Sequence, residues 1–175
     1  MLVPDTKSWT WVLDRACPEC GFDASTCPAK SVADLIRTNA AAWQRLLSDG
    51  AIRQGRPNAS TWSSLEYACH VRDVYRRYGD RIARMLVEND PLFLNWDQDA
   101  SAAEERYEQQ DPIEVLADLS RQAAQLAGRL DGLTETDWAR PGRRSDGAGF
   151  TVATISRYMV HDTIHHVWDV TYVRQ

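Results

Sequence analysis

Apolar residues recur at helical spacing in four separate segments of the chain, and this pattern limits the possible folds more than any other feature. In residues 111–131, for example, leucine and alanine side chains follow one another at steps of three and four residues. That spacing puts them on one face of an α-helix, and such a face must be buried against another element. Four such faces can cover one another. The pattern therefore predicts an all-α protein, a four-helix bundle.

Capping signals set the bounds of the predicted helices. Ser31 is expected to cap the first helix. Ser63 and Glu66 form a capping-box pattern at the start of the second, where Trp62 and Tyr67 are placed to close a hydrophobic staple. The third begins at Asp111-Pro112, with proline at a position where its missing N–H costs little. The four predicted helices span residues 31–49, 63–89, 111–131 and 151–172.

The connections predict the topology. The link between the first and second helices is short, which favours antiparallel neighbours, whereas residues 90–110 are long enough for a crossover along the bundle. No pair of alternating strand-like runs is found, so no sheet is expected. We predict a bundle with one long crossover over residues 31–175. Residues 1–30 are predicted to be an irregular segment, containing cysteine and tryptophan, that packs on the bundle.

Composition excludes several classes of function. The 175 residues are 43% hydrophobic and 26% charged, as in an ordinary globular domain. The net charge is -5 and the charges are interspersed, so the basic stripe of a nucleic-acid binder is missing. No apolar run approaches the roughly 18 residues of a membrane span, and residues 1–11 lack the apolar core of a signal peptide. We therefore expect a cytoplasmic protein with reduced cysteines that binds neither nucleic acid nor membranes.

Three histidines fall on the predicted apolar faces. His161 and His165 are four residues apart, so they lie on the same face of the fourth helix. His70 lies between Tyr67 and Val74 on the stripe of the second helix. Three inward imidazoles could bind one divalent metal ion, with zinc or nickel as the first candidates, and leave coordination positions open. Alternatively, each could be a hydrogen-bonded core residue.

Other residues near this predicted triad have expected roles. His166 lies about 100° around the helix from His165, so we expect it to support a ligand or to lie at the surface. Metal-binding histidines usually donate their second ring N–H to an acceptor. Asp73, three residues after His70, and Asp169, one turn after His165, are candidates for that acceptor.

Several of these residues together resemble the DinB-like superfamily. They are Trp62-Ser63 at a helix start, His70 seven residues after Ser63, and the final-helix spacing His161-x-x-x-His165. Residues 133–142 also resemble the stretch before that family's last helix, and the resemblance covers residues 31–175. It implies a four-helix bundle with a divalent metal held by a histidine triad, here His70, His161 and His165. This chain departs from the family pattern after His165, where residues 166–169 replace a run like Arg-Gly-Gln.

The resemblance also implies an activity. Characterised members include thiol-dependent S-transferases and the mycothiol-dependent maleylpyruvate isomerase. The implied function is therefore a thiol S-transferase or isomerase that acts on a small electrophile, with a low-molecular-weight thiol such as mycothiol as co-substrate. Two alternatives stay open: a metal-dependent hydrolase, and a non-catalytic metal-binding or stress-related interaction protein. Because seven tryptophans exceed what one small core readily absorbs, we also expect a homodimer.

The cysteines of the first segment allow three interpretations. Cys17 and Cys20 form a C-x-x-C motif, and Cys27 follows seven residues later. These three thiols could bind zinc if Asp23 or a histidine supplied a fourth ligand. They could instead have a redox role, or they could be reduced thiols packed against the bundle. Cys69 is expected to be a small core residue.

Overall fold

Six α-helices and three short strands form the part of the chain that the computed structural model describes, residues 9–172. Four long helices correspond to the four predicted ones, and two short helices lie in the connections between them. The elements are α1 (Val32–Ser48), α2 (Ser64–Val87), β1 (Leu92–Phe93), α3 (Gln98–Glu104), α4 (Pro112–Asp131), α5 (Glu135–Trp138), β2 (Pro141–Arg144), β3 (Gly149–Thr151) and α6 (Val152–Tyr172). The predicted fold class, an all-α four-helix bundle, is confirmed.

The long helices form a ring in which α1 and α2 each pack against both α4 and α6. Consequently α1 and α2 lie diagonally across the bundle, and the expectation that they would be neighbours is wrong. The link between them, residues 49–63, crosses the end of the bundle and is tied to the start of α2. Its Arg53 N–H donates to Ser64 Oγ at 2.7 Å, and its Arg56 guanidinium donates to the buried Glu66 carboxylate at 2.9 Å.

One of the two predicted helix caps is present, and the third long helix begins where expected. Ser63 and Glu66 cap each other's backbone N–H groups at the start of α2, and the Trp62 and Tyr67 rings pack 5.6 Å apart. Asp111 accepts hydrogen bonds from the first turn of α4. Ser31 does not cap α1, because it belongs to a preceding 3₁₀ turn, Ala29–Ser31, and already has helical backbone angles.

The predicted apolar stripes form the core. Trp43, Ile82 and Leu119 are fully buried, one each from α1, α2 and α4. Two linked hydrogen bonds cross this core. The Tyr75 hydroxyl donates to Asn39 Oδ1 at 2.7 Å, and Asn39 Nδ2 donates to the Thr163 carbonyl at 2.8 Å. This chain of bonds joins α1, α2 and α6, and it therefore helps to set the position of α6, where most histidines lie.

A small sheet corrects the prediction that no strands are present. β1 pairs in parallel with β2, and β2 pairs antiparallel with β3. These strands are only two to four residues long and include proline and glycine, so they are too short for an alternating pattern to emerge. Gly142 of β2 lies against Met85 of α2 and Phe93 of β1. The sheet therefore packs onto the end of the bundle.

Residues 9–31 lie along the outside of the bundle. A 3₁₀ turn, Thr10–Leu13, packs against α6, and the second 3₁₀ turn contacts both α1 and α6. Val12 of the first turn is buried, and so is Ala24, which lies between the two turns in sequence. Within residues 9–172, no helix is both long enough and apolar enough to span a membrane.

Candidate metal centres

α6 presents two pairs of potential metal ligands, and each pair has a spacing of four residues. The first is His161 with His165, and the second is Asp162 with His166. Neighbouring positions differ by about 100° around a helix, so the two pairs face different surroundings. His70 of α2 joins Asp162 and His166, and we call these three the central cluster. Cys17 and Cys20 join His161 and His165, and we call these four the cysteine cluster.

The central cluster brings three potential ligand atoms within 4.8 Å of one another. His70 Nε2 lies 3.2 Å from Asp162 Oδ2, and His166 Nε2 lies 3.5 Å from Asp162 Oδ1. Two imidazoles and a carboxylate are a donor set that catalytic zinc sites use. Ligand atoms around a tetrahedral zinc lie about 3.3–3.4 Å apart, given metal–ligand bonds of about 2.0–2.1 Å. The observed separations, one to each carboxylate oxygen, are close to this value, so the three side chains can reach one divalent ion.

Surrounding side chains hold both imidazoles in this orientation. Asp169 Oδ2 lies 2.9 Å from His166 Nδ1, so it accepts that N–H and leaves Nε2 facing Asp162. The His70 ring stacks on Trp96, with ring centres 5.0 Å apart and planes 10° apart, and Trp62 lies on another side at 5.3 Å. Hydrogen bonding therefore orients His166, whereas aromatic packing orients His70.

The charges of the central cluster favour a cation beside Asp162, and without a metal ion that cation is the protonated His166. Burial disfavours a charged His166, but Asp162 and Asp169 outweigh it and raise the pKa of His166 to about 10. Burial also favours the neutral form of Asp162, yet His166 and His70 hold the pKa of this carboxyl well below its usual value. Burial lowers the pKa of His70. The cluster thus combines a neutral His70 imidazole with an ionised Asp162 carboxylate, whereas His166 must give up its proton to bind a metal ion.

A pocket of about 780 Å³ opens onto the central cluster. Its wall is mixed: Trp62, Trp96 and Tyr158 supply aromatic surface, and Arg81 and Arg144 are among the charged residues beside them. Binding sites for small molecules commonly have this size. The ligand atoms are therefore accessible to a small molecule.

The structure does not bring the three predicted ligands together. His70 lies in the central cluster, whereas His161 and His165 face residues 9–31. Asp162 was missed, although the four-residue spacing to His166 is the same signal that picked out His161 and His165. His166 was expected to lie beside the site or at the surface, and instead it is one of the clustered residues.

The two aspartates that were expected to support the ligands have different surroundings. Asp169 orients His166, as described above, and also lies 3.7 Å from His165 Nε2. Asp73 is fully buried, and its hydrogen-bond partners are residues other than His70. It accepts hydrogen bonds from Arg72 at 2.9 Å and from the Tyr107 hydroxyl, and so anchors the crossover to α2.

The cysteine cluster joins two segments that are distant in sequence. One ligand atom from each of its four residues lies within 4.8 Å of the others. Cys17 Sγ is 3.7 Å from His165 Nδ1. Burial raises the pKa of the Cys20 thiol to about 11 and lowers that of His161 to about 4. Cys27, which was considered as a ligand with Cys17 and Cys20, lies apart, with its Sγ 3.6 Å from the Pro28 carbonyl.

Comparisons with known proteins agree with the four-helix bundle and with the residues that form it. A family model described as the DinB superfamily matches residues 34–170. The solved structure of YfiT from Bacillus subtilis superposes with a TM-score of 0.71 and 17% sequence identity, covering 82% of this chain and 85% of that one. YfiT is described as a probable metal-dependent hydrolase with an unusual four-helix bundle topology. A comparison with curated proteins gave no match.

Proposed function

We propose, on the premise that this chain belongs to the DinB superfamily, that its central cluster binds a divalent metal ion and catalyses a reaction on a small molecule. One observation carries the proposal. The Nε2 atoms of His70 and His166 lie 3.2 and 3.5 Å from the two carboxylate oxygens of Asp162, so one ion can reach all three side chains. Zinc and nickel are the first candidates for the ion.

Three protein ligands would leave coordination positions open towards the pocket. A divalent ion bound there lowers the pKa of a thiol or a water molecule, so that a nucleophile is available at neutral pH. The chain's own residues hold the site in shape. Asp169 keeps His166 Nε2 turned inward, and the Trp62 and Trp96 rings confine His70.

For the reaction, we propose the transfer of a low-molecular-weight thiol, such as mycothiol, to a small electrophile. The thiolate sulfur forms a bond to the electrophilic carbon, the leaving group departs with its electron pair, and the thiol proton is released. A pocket of about 780 Å³ has room for a small thiol and its acceptor together. Its wall presents Arg81 and Arg144 beside aromatic rings, which suits an acceptor that has both polar and apolar groups.

Hydrolysis is the second candidate, because the similar structure of YfiT is described as a probable metal-dependent hydrolase. In that case water replaces the thiol as the nucleophile. The two candidates share one metal site and differ in the second reactant. An activity assay with and without thiol therefore separates them.

Metal binding is tested first. Protein freed of metal is titrated with Zn²⁺ and with Ni²⁺, and bound metal is counted by elemental analysis. Asp162→Asn and His166→Ala should each lose one equivalent while the helical circular dichroism is unchanged. Asp80→Asn, which changes an exposed carboxylate of α2, is the matched control and should keep wild-type binding. Unchanged metal content in both cluster variants would refute the site.

Activity is tested on the same samples with a panel of thiols and an aryl halide as a generic electrophile. Metal-dependent thioether formation that His166→Ala abolishes would support the transferase. Turnover of ester or amide substrates without thiol, also lost in His166→Ala, would support the hydrolase instead. Metal binding with no metal-dependent turnover in either assay would contradict a catalytic role.

A further inference from the structure

We infer that the cysteine cluster is a second metal site, a structural zinc site built from Cys17, Cys20, His161 and His165, which joins the first segment of the chain to α6. Two thiolates and two imidazoles form the closed four-ligand set of structural zinc sites. Ligand atoms around such a zinc lie about 3.3–3.8 Å apart, given Zn–N and Zn–S bonds of about 2.0 and 2.3 Å. The separation of 3.7 Å between Cys17 Sγ and His165 Nδ1 falls within this range.

The backbone around the two cysteines has the shape that a zinc-binding turn requires. Gly21 N–H donates to the Cys17 carbonyl, and Cys17 N–H donates to the Phe22 carbonyl, both at 2.9 Å. The chain therefore reverses tightly and brings Cys17 and Cys20 to the same side. Gly21 has a φ of +74°, which glycine adopts without steric cost, so the residue after the second cysteine suits the turn.

The two histidines of the site are buried, and one of their ring nitrogens has no hydrogen-bond partner among the described residues. His161 and His165 are 3% and 8% exposed, and Cys17 is 2% exposed. His161 Nε2 is buried and has no hydrogen-bond partner within residues 9–172. A buried polar atom without a partner costs about 1–3 kcal/mol, so it requires an explanation. A zinc ion would satisfy the imidazole.

A carboxylate orients the second histidine. Glu19 lies between the two cysteines in sequence, and its Oε2 is 3.2 Å from His165 Nε2. It can therefore accept the Nε2–H and leave the lone pair of Nδ1 facing Cys17 Sγ. Histidines that bind metals are commonly supported in this way. The C-x-x-C motif thus supplies two thiol ligands and one supporting carboxylate.

The arrangement gives the zinc a structural role. Its ligands come from positions 148 residues apart, Cys17 and His165. Trp9 packs against both histidine rings, at 6.1 and 5.7 Å between ring centres. Trp9 and Glu19 also line the pocket. Zinc at this point would hold the first segment on α6 as one wall of the pocket.

Cobalt substitution tests this site separately from the central cluster. Only a site with thiolate ligands gives a sulfur-to-cobalt charge-transfer band, and the central cluster contains no sulfur. Metal-free, reduced full-length protein titrated with Co²⁺ should show this band, and Zn²⁺ should abolish it. The double variant Cys17→Ser/Cys20→Ser should lose the band and one equivalent of metal. Cys27→Ser, which removes a cysteine of the same segment outside the cluster, should keep both.

A measurement on wild-type protein covers the case in which the double variant fails to fold. Zn²⁺ should protect Cys17 and Cys20 from alkylation, as read by peptide mass spectrometry, and a chelator should remove the protection. Absence of the band in fully reduced wild-type protein would overturn the inference. So would retention of the band in the double variant, equal alkylation with and without Zn²⁺, or a Cys17–Cys20 disulfide in protein purified with zinc present.

Discussion

Replacing Gly142 by alanine should destabilise the protein through a clash that can be read from the structure. A methyl group at this position would lie 2.9 Å from Met85 Cγ and 2.9 Å from Phe93 Cε2. Both distances are half an ångström short of the 3.4 Å at which ordinary contact begins. Met85 and Phe93 are buried, so neither can turn away into solvent. The new methyl group must therefore push the sheet away from α2.

The magnitude follows from two opposing terms. Overpacking a buried contact costs about 1–3 kcal/mol. Replacing glycine by alanine restricts the unfolded chain and so stabilises the folded state by about 0.4–1 kcal/mol. We therefore expect Gly142→Ala to lower the free energy of unfolding by about 1–2 kcal/mol. For a chain of this length, that corresponds to a fall in melting temperature of about 2–8 °C.

Gly149→Ala is the matched control, because Gly149 lies on the neighbouring strand β3 and a methyl group there meets no atom within 4 Å. Its stability should stay within about 0.5 kcal/mol of the wild type, or rise slightly. Both variants are compared by thermal and urea unfolding, followed by circular dichroism at 222 nm, a wavelength that reports α-helix. Equal stability of Gly142→Ala and Gly149→Ala would refute the packing of the sheet on α2.

Three further predictions concern the site, the acid stability and the assembly. Asp169→Asn should weaken metal binding at the central cluster about 10- to 100-fold, because it removes the acceptor that orients His166; wild-type affinity in a chelator competition would contradict this. Burial favours a neutral Glu66, but hydrogen bonds from Arg56 hold the pKa of its carboxyl below 4.5. The stability that the ionised Glu66 contributes is therefore fully present above pH 4.5, and it is lost as the pH falls through the pKa of the folded state. Urea unfolding should therefore show Glu66→Gln about 1–3 kcal/mol less stable than wild type at pH 7 and converging with it in acid, and a difference that does not change with pH would exclude this explanation. The homodimer stays a prediction: light scattering should give twice the chain mass of 19.8 kDa, and the single-chain mass would refute it.

The expected homodimer now has less support from the tryptophans. All seven lie within the described residues, and each is buried or half-buried. Trp43 and Trp138 pack in the bundle, whereas Trp62 and Trp96 surround His70. The bundle and its pocket therefore absorb the aromatic side chains that the sequence suggested were in excess.

The helices and their core faces could be predicted from the sequence, because helix formation depends on residues three and four positions apart. The stripe that contains Leu116, Leu119 and Leu126 is buried as expected. The start of α2 was also predicted, since a capping box depends on residues only three apart, Ser63 and Glu66. Features whose interacting residues lie within one helical turn can therefore be predicted from the local sequence.

The ligand sets depended on the tertiary structure. On α6, the spacing of His161 to His165 and that of Asp162 to His166 are equal, so periodicity alone could not say which pair faces α2. That choice depends on the rotation of α6 about its axis, which its packing against α1 and α2 determines. It depends also on Cys17 and Cys20, because their segment covers the face that carries His161 and His165.

The sequence by itself therefore determined four amphipathic helices, their approximate ends and a set of metal-binding residue types. The tertiary structure alone decided that α1 and α2 lie diagonally, that short strands pair at the end of the bundle, and that the ligands divide into two clusters. The physical reason is the range of the interactions. A helix forms through bonds between residues four apart, whereas a metal site requires atoms from distant segments to converge within a few ångströms.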